Sequence, residues 1–138
     1  MIANTKHHFL NKPRRKRNSP EYDLQCQIAD TLDTILNPHF TCWSSVENSN
    51  HTGGISGCIK QGKDKRKGVK AGVPDLFILY NGTCLWIELK AGKNGTTESQ
   101  DSFHRKVVSS GNRIEVVMSH DELLFLLEKH HVPTLIKG

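Results

Sequence analysis

The sequence predicts a single α/β domain, with a mixed β-sheet flanked by helices on both faces. Three observations carry this. Two apolar runs within residues 72–90 flank Asn81-Gly82 and read as a β-hairpin. A helical pattern precedes the hairpin, with Leu24, Ile28, Leu32 and Ile35 on one face. Further helical stretches separate and follow the later strands, as crossover connections in a mixed sheet do.

Taken in order, residues 1–18 show little periodicity and end in a basic block over 12–17, five positive charges in six residues. Such a block is solvated and flexible. Arg14, Arg15, Lys16 and Arg17 are candidates for non-specific phosphate contacts, and a nuclear-localisation reading carries little weight beside that. Residues 19–138 form the folded domain. Ser19-Pro20 opens the first helix, Ser as N-cap and Pro at N1, and Pro38 should end it at Asn37. Residues 40–46 are strand-prone. Residues 48–71 read as a long irregular stretch rich in glycine. Its second half carries Lys60, Lys63, Lys65, Arg66, Lys67 and Lys70. These charges arrive just before the hairpin, where they suit phosphates without reading sequence; a solvated charge run is the plainer alternative.

After the hairpin, Thr97-x-x-Gln100 reads as a capping box that opens a helix to Ser110, closed by Gly111. Gln100, Phe103 and Val107 share the face turned to the sheet. Residues 113–118 form a strand, and Asp121-Glu122 begins a last helix whose leucines make a buried face.

The hairpin also carries chemistry. With a two-residue loop, Tyr80 pairs with Thr83, and counting outwards pairs Leu76 with Ile87 and then Asp75 with Glu88. Opposed residues share a face, so two carboxylates stand side by side. Lys90, two residues past Glu88, points the same way. Like charges in opposition need compensation, which Lys90 and a divalent cation supply together. Mg²⁺ is commonly held by one or two carboxylates plus waters and substrate phosphates. A three-residue loop with a bulge would shift the register and separate the acids. In the plainer reading, Asp75 caps the strand entrance while Glu88 and Lys90 form a surface ion pair.

Gly72-Val73-Pro74-Asp75, twelve residues, then Glu88-Leu89-Lys90 resembles the PD-(D/E)XK nuclease signature. More specifically it is similar to the virus-type replication-repair nuclease (VRR-NUC) domain, over roughly residues 20–127. Glu21 on the first helix, Gln100 at the helix after Glu-x-Lys, and the Ser-x-Asp-Glu helix start at 119–122 match further places in that pattern. The resemblance implies a restriction-endonuclease-like core and Mg²⁺-dependent hydrolysis of DNA phosphodiesters, with Mn²⁺ as a possible substitute. It assigns Asp75, Glu88, Lys90, Gln100 and Glu21 to the active site. Asp75, Glu88, the main-chain carbonyl of Leu89 and, less firmly, Glu21 would hold the metal. It further implies a homodimer acting on branched DNA such as flaps or Holliday junctions, in DNA repair, in the cytoplasm of a bacterial or phage-infected cell.

Composition sets bounds on these readings. Nineteen Lys and Arg against fourteen Asp and Glu give a formal charge of +5, which suits a polyanionic partner. No apolar run approaches a membrane span, and no signal-peptide pattern opens the chain. The four cysteines lack zinc-ligand spacing and read as reduced structural thiols; the eight histidines lack metal-ligand spacing, and His104 reads as a surface histidine. No organic cofactor is expected. The rival from another class is a basic nucleic-acid-binding module with a vestigial nuclease site, which would bind DNA without Mg²⁺-dependent cleavage.

Overall fold

The computed structural model of the chain describes residues 18–47, 55–92 and 95–135, without the side chains of 55–57. Along it run α1 (Pro20–Ile35), β1 (Thr41–Ser45), α2 (Ile55–Lys67), β2 (Leu76–Tyr80), β3 (Thr83–Leu89), α3 (Glu98–Ser109), β4 (Arg113–Val117) and α4 (His120–Lys129). Arg14, Arg15, Lys16 and Arg17 lie outside the described residues.

The turn at Asn81-Gly82 organises the sheet. Both residues have positive φ, 47° and 70°, as a two-residue type I′ loop demands. β2 and β3 pair antiparallel in the counted register, from Tyr80 with Thr83 to Leu76 with Ile87. β1 adds antiparallel to β2 on one side, and β4 adds parallel to β3 on the other. The strand order is β1-β2-β3-β4, a mixed sheet. α3 makes the crossover that a parallel β3–β4 pair requires.

Alternation along the strands divides the hairpin into two faces. Leu76, Ile78, Leu85, Ile87 and Leu89 lie on one, wholly buried, as is Val117 of β4. They pack with Leu24, Ile28 and Leu32 of α1 and with Leu123, Leu126 and Leu127 of α4. Each such side chain contributes about 1.5–3 kcal/mol by leaving water. The other face carries Phe77, Trp86 and Glu88. Trp86 meets Phe77 edge-on at 5.6 Å and Phe103 of α3 at 5.9 Å, so α3 covers this side.

One expectation fails. Much of the stretch read as irregular is the helix α2, Ile55–Lys67. Lys, Arg and Gln are good helix formers, and no proline interrupts them. The end of α2 is a Schellman turn: Gly68 N–H bonds the Lys65 carbonyl at 3.0 Å, and Val69 N–H bonds the Asp64 carbonyl at 2.9 Å. Glycine after a basic last turn was the available signal. A weak apolar stripe concealed it, since Ile59 is 56% exposed. Smaller differences are at helix ends: α1 stops at Ile35 because Leu36 turns extended and bridges Thr134.

Candidate active site

Pro74 is buried and lacks an N–H, so the β2 ladder cannot extend through it. Asp75 stands at this break. Its main-chain carbonyl accepts from Val46 N–H at 2.7 Å, anchoring the end of β1. Its Oδ2 accepts from the Leu89 N–H at 2.7 Å, so the side chain takes the place of the missing ladder partner. That bond holds the carboxyl across the end of β3, beside Glu88.

Glu88 is 2% exposed and is the one buried charged residue among those described. Its Oε1 accepts from Gln100 Nε2 at 2.9 Å, and Lys90 Nζ stands 3.8 Å from the same oxygen. Lys90 Nζ donates to Gln100 Oε1 at 3.0 Å. That oxygen also accepts from Thr97 N–H at 2.9 Å, while Gln100 N–H donates to Thr97 Oγ1 at 3.3 Å. The capping box of α3 therefore fixes which way the amide faces: its oxygen takes two donors and its nitrogen serves the carboxylate. Gln100 both caps the helix and bridges Glu88 to Lys90.

Electrostatics leave this group short of positive charge. Burial first, and then the neighbouring Asp75 charge, push Glu88 up to about 8, against an opposing pull from Lys90. Burial likewise raises Asp75, partly offset by the Leu89 N–H, the Glu88 carboxyl and Lys90. The two carboxyls adjoin closely enough to share a proton. Glu88 Oε2 is buried and has no hydrogen-bond partner. Two crowded acids with an unserved oxygen suit a divalent cation, which would let both ionise. Among the described residues no three His, Cys, Asp or Glu side chains converge on a metal position. Two carboxylates are within what Mg²⁺ uses when water and phosphate complete its shell.

Glu21 is exposed on the first turn of α1, and its charge adds to the upward pressure on Glu88. Lys60, Lys63, Lys65, Arg66 and Lys67 are exposed on α2, and Lys70 is exposed just beyond it. His104, one turn past Gln100, is half-buried rather than a surface group. Burial lowers its pKa, and its Nε2 has no hydrogen-bond partner. Sequence reasoning also missed the part played by Gly72. Its φ is +79°, and it packs on the backbone of Ser99 and Gln100, setting α3 against the strand entrance. A glycine three residues before the aspartate was the signal. All four cysteines are free; Cys26, Cys42 and Cys58 are exposed and only Cys84 is partly covered. No helix among the described residues is long and apolar enough to cross a membrane.

No family model matches the sequence, and no curated protein matches it. Among solved structures, the chain is similar to one described as "VRR_NUC domain protein", with a TM-score of 0.60 and 19% identity. The likeness covers 85% of this chain and 93% of that one. The chain thus has a VRR-NUC-like fold, an α/β sheet-and-helix core of the restriction-endonuclease-like kind.

Proposed function

We propose that this chain is a metal-dependent nuclease that hydrolyses DNA phosphodiester bonds, with a preference for branched or flapped DNA. The observation that carries the reading is the Asp75–Glu88 pair, with Glu88 buried, braced by Lys90 and Gln100 at one end of a VRR-NUC-like sheet. Asp75 and Glu88 are the metal-holding carboxylates. The Leu89 carbonyl and Glu21 complete the set that the resemblance implies. Bound there, Mg²⁺, or Mn²⁺ in its place, would polarise the phosphoryl oxygens and acidify a water.

The side chains have separate tasks. Asp75 is held by a main-chain N–H, so its carboxylate is oriented before any ligand arrives. Gln100 fixes Glu88 and Lys90 relative to each other. Lys90, with its side chain 13% exposed, presents a fixed cation to negative charge developing on the phosphate, and it orients the attacking water. The lysines and Arg66 around α2 supply phosphate contacts. A homodimer acting in the cytoplasm belongs to the same reading, since two sites about a two-fold axis suit cutting two strands.

The test is cleavage of single-stranded, duplex, flap and four-way DNA with Mg²⁺ and with EDTA. Cutting should require the metal and favour a branched substrate. Asp75→Asn and Lys90→Ala should abolish it while leaving DNA binding largely intact. Tight, salt-sensitive binding with no cleavage under any metal would make the chain a binding module with a vestigial site. Light scattering decides the dimer.

A further inference from the structure

Between α2, the segment leading into β2 and the first turn of α3 lies an open cavity of about 490 Å³. That is within the roughly 300–1,000 Å³ typical of small-ligand sites. Its walls include Gln61, Asp64 and Lys65 of α2, then Lys70, Gly72 and Ser99. It also reaches Gln100, whose amide bonds both Glu88 and Lys90. The cavity and the candidate active site therefore share a wall.

Positions 61, 64 and 65 share one face of α2 by the i, i+3, i+4 rule. Lys60, Lys63, Arg66 and Lys67 do not line the cavity. The helix thus presents a mixed polar face to the cavity and keeps most of its cations elsewhere. Lys65 and Lys70 attract a phosphate. Glu98 and Asp101 stand in the first turn of α3, so its positive end adds little to that attraction. Asp64 is half-buried, and its Oδ2 has no hydrogen-bond partner. A buried acceptor of this kind is stabilised by a ligand that brings an N–H. No aromatic side chain among the described residues lines the cavity, so a base held there would be held by its polar edge rather than by stacking.

We propose that this cavity seats one unpaired nucleotide of the DNA strand beside the cut, its phosphate on Lys65 and Lys70 and the edge of its base on Asp64; this rests on the nuclease reading above. A nucleotide must leave the duplex to enter, so the cavity favours substrates with single-stranded or distorted segments next to the scissile bond.

The experiment scans a tailed duplex in which each nucleotide around the cut is replaced in turn by an abasic site, with the full chain and Mg²⁺. One position should lower kcat/KM about tenfold, within the range for losing one polar base contact. Asp64→Ala should lower kcat/KM on the intact substrate by a similar factor and have no further effect on that abasic substrate. Ser99→Trp and Val69→Trp, both at exposed positions lining the cavity, should each erase the positional sensitivity. A flat abasic profile with normal cleavage overturns the subsite and leaves the nuclease reading standing. So does additive loss from Asp64→Ala and base removal. If the unaltered chain cuts none of the substrates, both readings fall.

Discussion

Gly72 lies against the backbone of Ser99: a β-carbon on Gly72 would stand 2.1 Å from the Ser99 carbonyl oxygen and 2.6 Å from the Gln100 nitrogen. Neither is the end of a movable side chain, so the first turn of α3 must shift to admit an alanine. Gln100 would then be carried away from Glu88. Gly72→Ala should cost the left-handed penalty of about 1–2 kcal/mol plus roughly 1–3 kcal/mol for overpacking, with kcat falling at least tenfold. Gly92 is the control, since its φ is +89° but nothing among the described residues lies within 4 Å of its added carbon. Gly92→Ala should show the backbone penalty alone. Urea unfolding of the two variants decides the matter: equal losses would mean that the contact with Ser99 has no consequence.

Gln100 has a capping role and a bridging role, and two substitutions separate them. Thr97→Ala removes the hydroxyl that accepts the Gln100 N–H, a loss of about 1 kcal/mol of helix stability. Gln100→Ala removes the cap partner and also the amide between Glu88 and Lys90. Groups that orient metal-holding carboxylates typically matter 10–100-fold, so Gln100→Ala should lower kcat by about that factor. Thr97→Ala should lower it far less at similar stability. Matching activity losses in the two variants would reduce Gln100 to a cap.

The pair of carboxyls makes the metal-free protein sensitive to pH. Folded, Glu88 titrates near 8, against the ordinary glutamate value of 4.5. Between those values the folded chain keeps a proton that the unfolded chain has released, so stability falls as pH rises through the window. The fall is on the order of a few kcal/mol, and Asp75, also raised, contributes in the same sense. His104, whose pKa is lowered, works the opposite way. The difference between the unaltered chain and Glu88→Gln isolates the glutamate. In EDTA the unaltered chain should lose stability relative to Glu88→Gln as pH rises from 5 to 8, and Mg²⁺ at pH 8 should restore stability to the unaltered chain alone. A difference independent of pH would mean that Glu88 is ionised without strain.

Lys60, Lys63 and Lys67 recur at helical spacing on α2 and are exposed. Each that reaches a duplex phosphate adds about 0.9 to the log–log salt slope of binding. The triple alanine variant should therefore flatten the slope by up to roughly 2.7 and weaken binding to all sequences alike, with unfolding unchanged. Titrations at several salt concentrations check this, and an unaltered slope would leave these lysines as a solvated face.

The hairpin and its register were legible because their causes are local. Asn81-Gly82 can adopt the required positive φ values, and strict alternation then determines which residues are opposed, from Thr83 back to Ile87. The N-caps at Ser19 and Thr97 were readable for the same reason, each being a side chain within three residues of the N–H it serves. α2 was not legible, because a charged helix with little buried apolar surface has no periodic signature to read.

Other features depend on distances that no spacing encodes. α3 alone allows Gln100 to cap a helix; the packing of α3 on β3 puts that amide 2.9 Å from Glu88 and 3.0 Å from Lys90. Glu88 is a glutamate in a strand, and only the layers closed over it make it 2% exposed and raise its pKa to about 8. Gly72 is a turn residue in the sequence and a close backbone contact in the fold. By itself the chain determined which side chains could share a face, since that follows from the backbone repeat. Tertiary packing decided which of them meet and how far they are from water, since those depend on elements brought together across the sequence.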